Sequence, residues 1–445
     1  MMKAAAKKAR GAAALFLAAG IIAGSAVSAP ASPRTLKRIT DPVIISGADL
    51  PSLLGMPIDR IGAFAADTSG ALSPIPFQID ERDSSGGLVF PFGPKKNKDS
   101  DPSFDANDEL IFMARDAGAR VAKISPLQGA SRSHEIALRD PVDGGAAWVY
   151  VFAFDAAPPR SDVDHVSMSS DGLRITARNY STSFCKDAPI GFCRLSLSEK
   201  GGGNGANYMD RLKVRATAKL RVVGAKMNKN ESSFTSEILA WIDGPVRVIR
   251  RTNNKMILFW KIPTPGSVID NVYYADSFIY PTEVDVPFDI GSLLEEFNFR
   301  VYTDHNKNAK GKIFLNTKNP ESTKIDGEMS AAEKKLDLSP YEWMFIGGAA
   351  HGARGGWINR LFFEEGIKAK PYLFYMDDAS KPDPPESERG MIGAIGYDVR
   401  YMETLTKGVW KLTSHMYNAP DFKPGYGGEK TYLDILDNPI KVVVK

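Results

Sequence analysis

The most regular chemical pattern in the chain is Arg211-Leu-Lys-Val-Arg-Ala-Thr-Ala-Lys-Leu-Arg-Val222, where polar and apolar residues alternate strictly. Alternate side chains of a strand share one face at a spacing of about 6.8 Å. Arg211, Lys213, Arg215, Lys219 and Arg221, with Thr217 among them, therefore line one sheet face over roughly 34 Å. Leu212, Val214, Ala216, Ala218, Leu220 and Val222 line the other. A row of cations suits a polyanion such as a uronic-acid glycan or a phosphorylated envelope polymer. Gly244-Pro-Val-Arg-Val-Ile-Arg-Arg251 adds Arg247 and Arg251 nearby. The same row is also what a solvated face looks like when acids of neighbouring strands neutralise it, and both readings stand.

A second cluster concentrates Asp99, Asp101, Asp105, Asn107, Asp108 and Glu109 ahead of the apolar run Leu110–Met113. These are the hard oxygen donors that Ca²⁺ takes. The glycine and distal glutamate of an EF-hand are missing, and an Asx-rich turn leading into a buried strand explains the same residues. Asp304-His-Asn-Lys-Asn-Ala309 also alternates donors, but Leu315 stands where a bidentate acid would be needed, so it reads as a hairpin turn.

Templates for catalysis are mostly absent from the sequence: no Gly-x-Ser-x-Gly elbow, phosphate loop, His-Glu-x-x-His or dinucleotide fingerprint occurs. The five histidines are scattered without metal-ligand spacing. His351 alone has a suggestive setting, Phe345-Ile-Gly-Gly-Ala-Ala-His-Gly-Ala-Arg-Gly-Gly-Trp-Ile-Asn-Arg360. Glycines on both sides of His351 and Arg354 let backbone approach a ligand closely, and Trp357 offers a face for a sugar. An arginine clamping a carboxylate beside a His or Tyr base is what proton abstraction next to a uronic acid requires. Tyr397 and Arg400 are companions for that role. A glycine-rich turn carrying a surface histidine is the plain alternative.

The elements that must hold these residues are strands. Short β-branched and aromatic runs, such as Pro42–Ile45, Ala147–Phe152, Pro371–Tyr375 and Ile440–Val444, are separated by Gly, Pro, Asn and Asp clusters. Helical periodicity is scarce. Ser292-Leu-Leu-Glu295 and Ser330-Ala-Ala-Glu333 are capping-box patterns, each followed by about two turns of helix-compatible sequence. The pattern predicts an all-β protein, a small N-terminal β-barrel or sandwich (30–165) followed by a large antiparallel β-sandwich (166–445) with few short helices. Ala156-Ala-Pro-Pro-Arg-Ser-Asp162 marks the boundary, and the acidic, Pro-rich stretch Asp377–Arg389 reads as a long exposed loop.

Residues 1–29 have the form of a signal peptide: Lys3, Lys7, Lys8 and Arg10, then an apolar run from Ala12 to Val27, then small residues ending at Ala29. Pro30 disfavours cleavage directly before it, so Ala26 and Ala31 remain alternative sites, and a single membrane anchor is the competing interpretation. No later stretch is long and apolar enough to span a bilayer. The expected location is periplasmic or extracellular. Cys185 and Cys193, the only cysteines, are expected to form a disulfide in an oxidising compartment, stabilising a short loop by roughly 2–3 kcal/mol. The whole chain has 56 basic and 53 acidic residues; without the four N-terminal cations, 52 face 53, a net of −1. That balance gives no support for nucleic-acid binding.

Asp67-Thr-Ser-Gly-Ala-Leu-Ser-Pro-Ile-Pro-Phe-Gln-Ile-Asp80 resembles an element in the N-terminal β-domain of secreted polysaccharide-degrading proteins. Asp105-Ala-Asn-Asp-Glu-Leu-Ile-Phe-Met-Ala-Arg-Asp-Ala-Gly118 resembles uncharacterised secreted bacterial β-rich proteins. Gly244-Pro-Val-Arg-Val-Ile249 is similar to a segment of galactose-mutarotase-like supersandwiches, which include sugar epimerases and polysaccharide-lyase domains. These fragments cover under a tenth of the chain. The resemblance implies a supersandwich and a carbohydrate ligand. The helical toroid of many lyases has no counterpart, and no catalytic residue of those families maps onto a position here. The expectation is a secreted protein that binds an acidic polysaccharide, with lyase or epimerase chemistry at His351 or Tyr397 if it turns substrate over. The rival is a non-catalytic envelope component that docks a protein partner through surface aromatics such as Tyr273, Tyr274 and Tyr280.

Overall fold

The structure is a computed structural model that describes residues 31–98, 101–124, 127–186, 191–257, 266–348, 354–386, 391–424 and 427–445. The signal-peptide segment, Asp99 and His351 lie outside the described residues.

The first part of the chain supplies β1 (Pro42–Ser46), β2 (Ile61–Ala66), β3 (Leu72–Pro74), β4 (Gln78–Asp80), β5 (Glu109–Met113), β6 (Ala130–Arg139) and β7 (Ala146–Phe154). Next come β8 (Val166–Met168), β9 (Arg174–Ala177), β10 (Tyr180–Phe184), β11 (Phe192–Leu197), β12 (Met209–Leu220) and β13 (Lys226–Lys229). They are followed by β14 (Phe234–Asp243), β15 (Val248–Met256), β16 (Ser267–Tyr273), β17 (Ser277–Val286) and β18 (Leu294–His305). The remainder is β19 (Ile313–Asn316), β20 (Thr323–Lys324), β21 (Trp343–Gly347), β22 (Gly356–Phe363), β23 (Lys370–Met376), β24 (Ile392–Arg400), β25 (Gly408–Ala419), α1 (Lys430–Asp437) and β26 (Lys441–Val444).

Two sheets form a sandwich near the N-terminus. One has the order β1-β5-β4 and the other β26-β6-β7-β2-β3. Val43, Ile45, Leu110 and Phe112 of the first pack on Ile136, Leu138, Val149 and Val151 of the second. β7 is buried at every position because a second apolar cluster, with Trp148, Tyr150 and Phe152, covers its other face. That explains its unbroken apolar run, which a half-solvated strand would not carry. Each large apolar side chain fully buried in this way contributes about 1.5–3 kcal/mol. The C-terminal strand β26 pairs with β6, Lys441 opposite Arg139 and Val444 opposite Ile136. The last residues of the chain therefore complete the first sandwich, a crossing that a simple division at 165 and 166 does not contain.

The larger part is a supersandwich. A nine-stranded sheet, β14-β15-β16-β17-β25-β22-β21-β19-β20, is faced by β11-β10-β9-β8 and by β13-β12-β18-β24-β23. One core joins them: Tyr180 and Phe192 from the four-stranded sheet, Tyr273 and Phe278 from the nine-stranded one, Ile395 and Tyr397 from the five-stranded one. The all-β architecture predicted from the turn and strand patterns is what the chain adopts.

The helix expectations divide. At Ser330 the capping box forms, with the Ser330 N–H donating to Glu333 Oε2 at 2.7 Å and the Glu333 N–H to Ser330 Oγ at 3.2 Å. It caps only a 3-10 turn, Glu333–Lys335. At Ser292 no helix follows; Ile290–Ser292 is a single 3-10 turn and Glu295 lies within strand β18. Helix α1, which has no side-chain N-cap, was not foreseen.

Candidate functional site

The strict alternation of β12 is used as the spacing requires. Val214, Ala216 and Ala218 are buried beneath the sheet, and the charged row faces outward. β18 follows the same period: Phe297 and Phe299 pack on the core, while Asn298, Arg300, Tyr302 and Asp304 share the outer face. Antiparallel register sets Arg211 opposite Asp304, Lys213 opposite Tyr302, Arg215 opposite Arg300 and Thr217 opposite Asn298. Further across, Arg300 is opposite Asp398 on β24, and Asp398 is opposite Tyr372 on β23.

A cleft of about 370 Å³ lies on this outer face. Its basic lining is Arg215, Arg300, Lys229 and Lys381, its amides are Asn228 and Asn298, and its aromatic wall is Tyr302 and Phe374. Tyr302 and Phe374 touch with ring centroids 4.7 Å apart. The Arg300 guanidinium lies 4.1 Å over Phe374 and that of Arg215 5.7 Å over Tyr302. Stacking of this kind holds the planar guanidinium in a fixed orientation, which favours bidentate recognition of carboxylates. Asp398 anchors the far side, accepting from Arg300 Nε at 3.4 Å and Arg400 Nε at 2.8 Å.

One end of the cleft is covered by residues 380–386, which follow β23. Asp383 Oδ1 accepts from Arg215 Nη2 at 2.9 Å, and Asp383 Oδ2 accepts from the Tyr302 hydroxyl. Burial opposes the charge on Asp383, but the Tyr302 hydroxyl and Arg215 outweigh it and hold the carboxyl below the usual range. Beneath this segment Lys213 is fully buried. Its ammonium is 2.6 Å from Asp304, 3.2 Å from Glu386 and 3.8 Å from Asp383. Burial, with Glu386 and Asp210 adding to it, pushes the Asp304 carboxyl up to about 7 despite Lys213. One ammonium cannot neutralise so many carboxylates in a site of low polarity.

Carboxylate oxygens of Asp210, Asp304 and Glu386 lie within 4.8 Å of one another, a set that could hold a metal ion. The Lys213 ammonium already stands within hydrogen-bond reach of two of them, so a divalent ion would have to displace it. The loop proposed for Ca²⁺ is committed otherwise. Asp101 accepts from the Ser103 N–H, Asp108 from the Arg82 and Asp105 N–H groups, and the Asn107 amide donates to the Asp83 carbonyl. Asp105 contributes its N–H to that turn, and Glu109 pairs with Arg82 and Arg247. Among the described residues these side chains form no converging ligand set. The Asx-turn reading describes them.

The cationic row is not an open track. Arg211 is buried, its Nη2 3.7 Å from Cys193 Sγ, beside the Cys185–Cys193 disulfide that the structure contains. Arg215 sits in the cleft and pairs with Glu231 as well as Asp383. Lys219 pairs with Glu295 at 2.8 Å, and Arg221 donates to the Gly291 carbonyl. Arg247 and Arg251 serve the junction with the first sandwich: Arg247 is buried on Asp80 and Glu109, and Arg251 binds Asp270 and stacks over Phe90.

The expected base-and-clamp group does not assemble from its described members. Arg354 is exposed on the segment whose backbone bonds to Gly202. Tyr397 faces the core, stacked on Tyr341 at 5.1 Å and donating to Asn359. Arg400, three residues on, points to the opposite face beside Asp398 and Tyr372. Odd and even positions of one strand cannot reach the same pocket. Trp357 is a core residue, its indole N–H donating to Tyr208 at 2.5 Å and its ring packed on Tyr180 and Phe278. Tyr273 and Tyr274 are buried and Tyr280 is half-buried, which removes them as a docking surface. Asp377, expected in an exposed loop, is buried and accepts from the Asp326 and Gly327 N–H groups.

No protein-family model and no curated protein matches the sequence. Among solved structures the chain is similar to an alpha-mannosidase from Enterococcus faecalis V583, with 10% identity, a TM-score of 0.43, and coverage of 94% of this chain and 45% of that one. It is also similar to the alpha-N-acetylgalactosaminidase NagBb from Bifidobacterium bifidum (10% identity, TM-score 0.30, covering 56% of this chain and 36% of that one). Heparinase III, the BT4657 gene product, is a third such structure (9% identity, TM-score 0.26, 60% and 38%). The chain spans less than half the length of each of these proteins.

Proposed function

We propose that the protein is a carbohydrate-binding protein of the cell exterior whose ligand is an acidic polysaccharide, bound in the cleft above β12, β18, β24 and β23. The observation that carries this reading is the convergence there of two ring-stacked arginines, two lysines and two amides. Guanidinium groups fixed against aromatic rings recognise uronate carboxylates at low cost in side-chain entropy. Asn228, Asn298 and Thr217 are matched to sugar hydroxyls. Export through the N-terminal segment would place the Cys185–Cys193 loop where disulfides persist. Calorimetric titration of the mature protein with oligogalacturonate and with a neutral oligosaccharide tests the reading. Binding of the acidic ligand alone, weakening steeply with salt and lost in Arg300→Ala, is expected. Equal binding of both ligands, or none of either, refutes it. The same samples, assayed for unsaturated products, report whether binding is accompanied by lyase chemistry.

A further inference from the structure

We propose that the sheet carries a carboxylate subsite built from Arg215 and Tyr302, and that Asp383 occupies it in place of a uronate of the ligand. The inference rests on the acidic-glycan reading and adds a competing occupant to it. Two donors from different strands meet the two oxygens of one carboxylate: Arg215 Nη2 at 2.9 Å on Oδ1, and the Tyr302 hydroxyl on Oδ2. The remaining contacts of the segment with this part of the sheet are also polar. Lys213 donates to the Asp383 carbonyl and pairs with Glu386, and Arg215 Nη2 donates to the Pro384 carbonyl at 3.2 Å. Glu386 Oε1 additionally accepts the Asp383 N–H at 2.9 Å, which folds the segment on itself.

The manner of attachment separates this segment from the structure around it. Its N-terminal end is fixed by buried Asp377 on the Asp326 and Gly327 N–H groups, and by the Ala379 N–H on the Gly327 carbonyl. Beyond that point no residue of 380–386 belongs to a hydrophobic core cluster. Asp383 and Glu386 keep side-chain exposures of 29% and 23%. The cations beneath have other partners within the sheet region. Lys213 has Asp304, and Arg215 has Glu231, whose carboxyl also accepts the Val214 N–H. If the segment lifts, those pairs remain, and one Arg215 nitrogen and the Tyr302 hydroxyl become available. A ligand carboxylate replaces the Asp383 carboxylate donor for donor, and a neutral sugar has nothing equivalent to offer.

The test is oligogalacturonate affinity of wild type, Asp383→Asn/Glu386→Gln and Arg300→Ala, with hydrogen exchange of the peptide spanning 378–386 followed with and without ligand. If the cradle is filled internally about nine-tenths of the time, removing the competitor tightens binding about tenfold. Ligand should also accelerate exchange of that peptide in wild type. The isosteric amides preserve size, and Tm checks that the variant folds. If wild type binds and Arg300→Ala weakens it, while the double variant binds no tighter and exchange is unchanged, the subsite proposal is wrong and the acidic-glycan reading survives. If neither wild type nor the double variant binds, both fall.

Discussion

Replacing Lys213 by Met probes the most demanding electrostatic arrangement in the molecule. The substitution keeps an unbranched side chain of similar length and removes only the ammonium, leaving Asp304 and Glu386 without the cation now 2.6 and 3.2 Å away. Breaking a buried pair from one side costs about 3–5 kcal/mol. The cost must depend on pH. The Asp304 carboxyl is held at about 7 in the folded protein, against 3.8 ordinarily, chiefly by burial. A carboxyl whose folded pKa is raised contributes its stability below the unfolded pKa and loses it as pH rises through the folded one. Without Lys213 the folded pKa rises further. Below pH 7 both proteins hold the Asp304 proton, and the substitution is comparatively mild. Above it, wild type releases the proton while the variant must keep it, so the penalty grows by about 1.4 kcal/mol per pH unit. Between pH 6 and pH 9 the difference between the two proteins should therefore widen by about 3 kcal/mol, or roughly 6 °C in Tm at ~2 °C per kcal/mol. Thermal melts at the two pH values measure it. An equal Tm deficit at both would show that the ammonium is not compensating these carboxylates, and the electrostatic account of the cluster would fail.

Asp276 offers a parallel case outside the cleft. It is buried against Arg115, and burial lifts its carboxyl to about 7, partly offset by Arg115 and His165. Wild-type stability should therefore fall by about 2–3 kcal/mol from this group between pH 5 and pH 8; Asp276→Asn should show a shallower decline, and parallel curves would count against the assignment. Trp357→Ala should destabilise the fold by about 3–5 kcal/mol as a core truncation, while the protein that remains folded binds oligogalacturonate as wild type does. A selective loss of affinity at unchanged Tm would restore Trp357 as a sugar platform.

What could be read from the sequence follows the physics of each signal. The period of two in β12 is local, so its two faces were readable directly, and the buried row of Val214, Ala216 and Ala218 bears this out. The same period is present in Phe297, Asn298, Phe299, Arg300, Val301 and Tyr302, but the capping-box pattern at Ser292 competed with it. In a chain with strands on both sides, tertiary pairing overrode a one-turn helix signal. The cleft residues Tyr302, Arg300, Phe374 and Asp398 come from three strands separated by long stretches of sequence, and only register brings them together. Trp357 was misplaced for the converse reason. A glycine-rich neighbourhood suggested exposure, whereas Gly355 and Gly356 sit tightly against Gly201 and Phe345, where a Cβ would collide. Glycine there marks close packing of backbone.

The charge balance explains why two readings of the β12 row looked like alternatives. A net of −1 means acids exist to neutralise every cation, and at Lys213, Arg215 and Lys219 they do so. Neutrality, however, says nothing about how each acid is held. Asp304 and Glu231 are 5% and 3% exposed at their side chains and belong to strands or turns of the sheet region, so displacing them means unfolding it. Asp383 and Glu386 reach the same cations from a segment that contributes nothing to the hydrophobic core. An external polyanion would compete with that second pair alone. Its gain is therefore set by the difference between one carboxylate on a sugar and one on a tethered segment, not by the total charge of the face. A row of cations that is fully paired can still be a binding site, provided some of its partners are the removable ones.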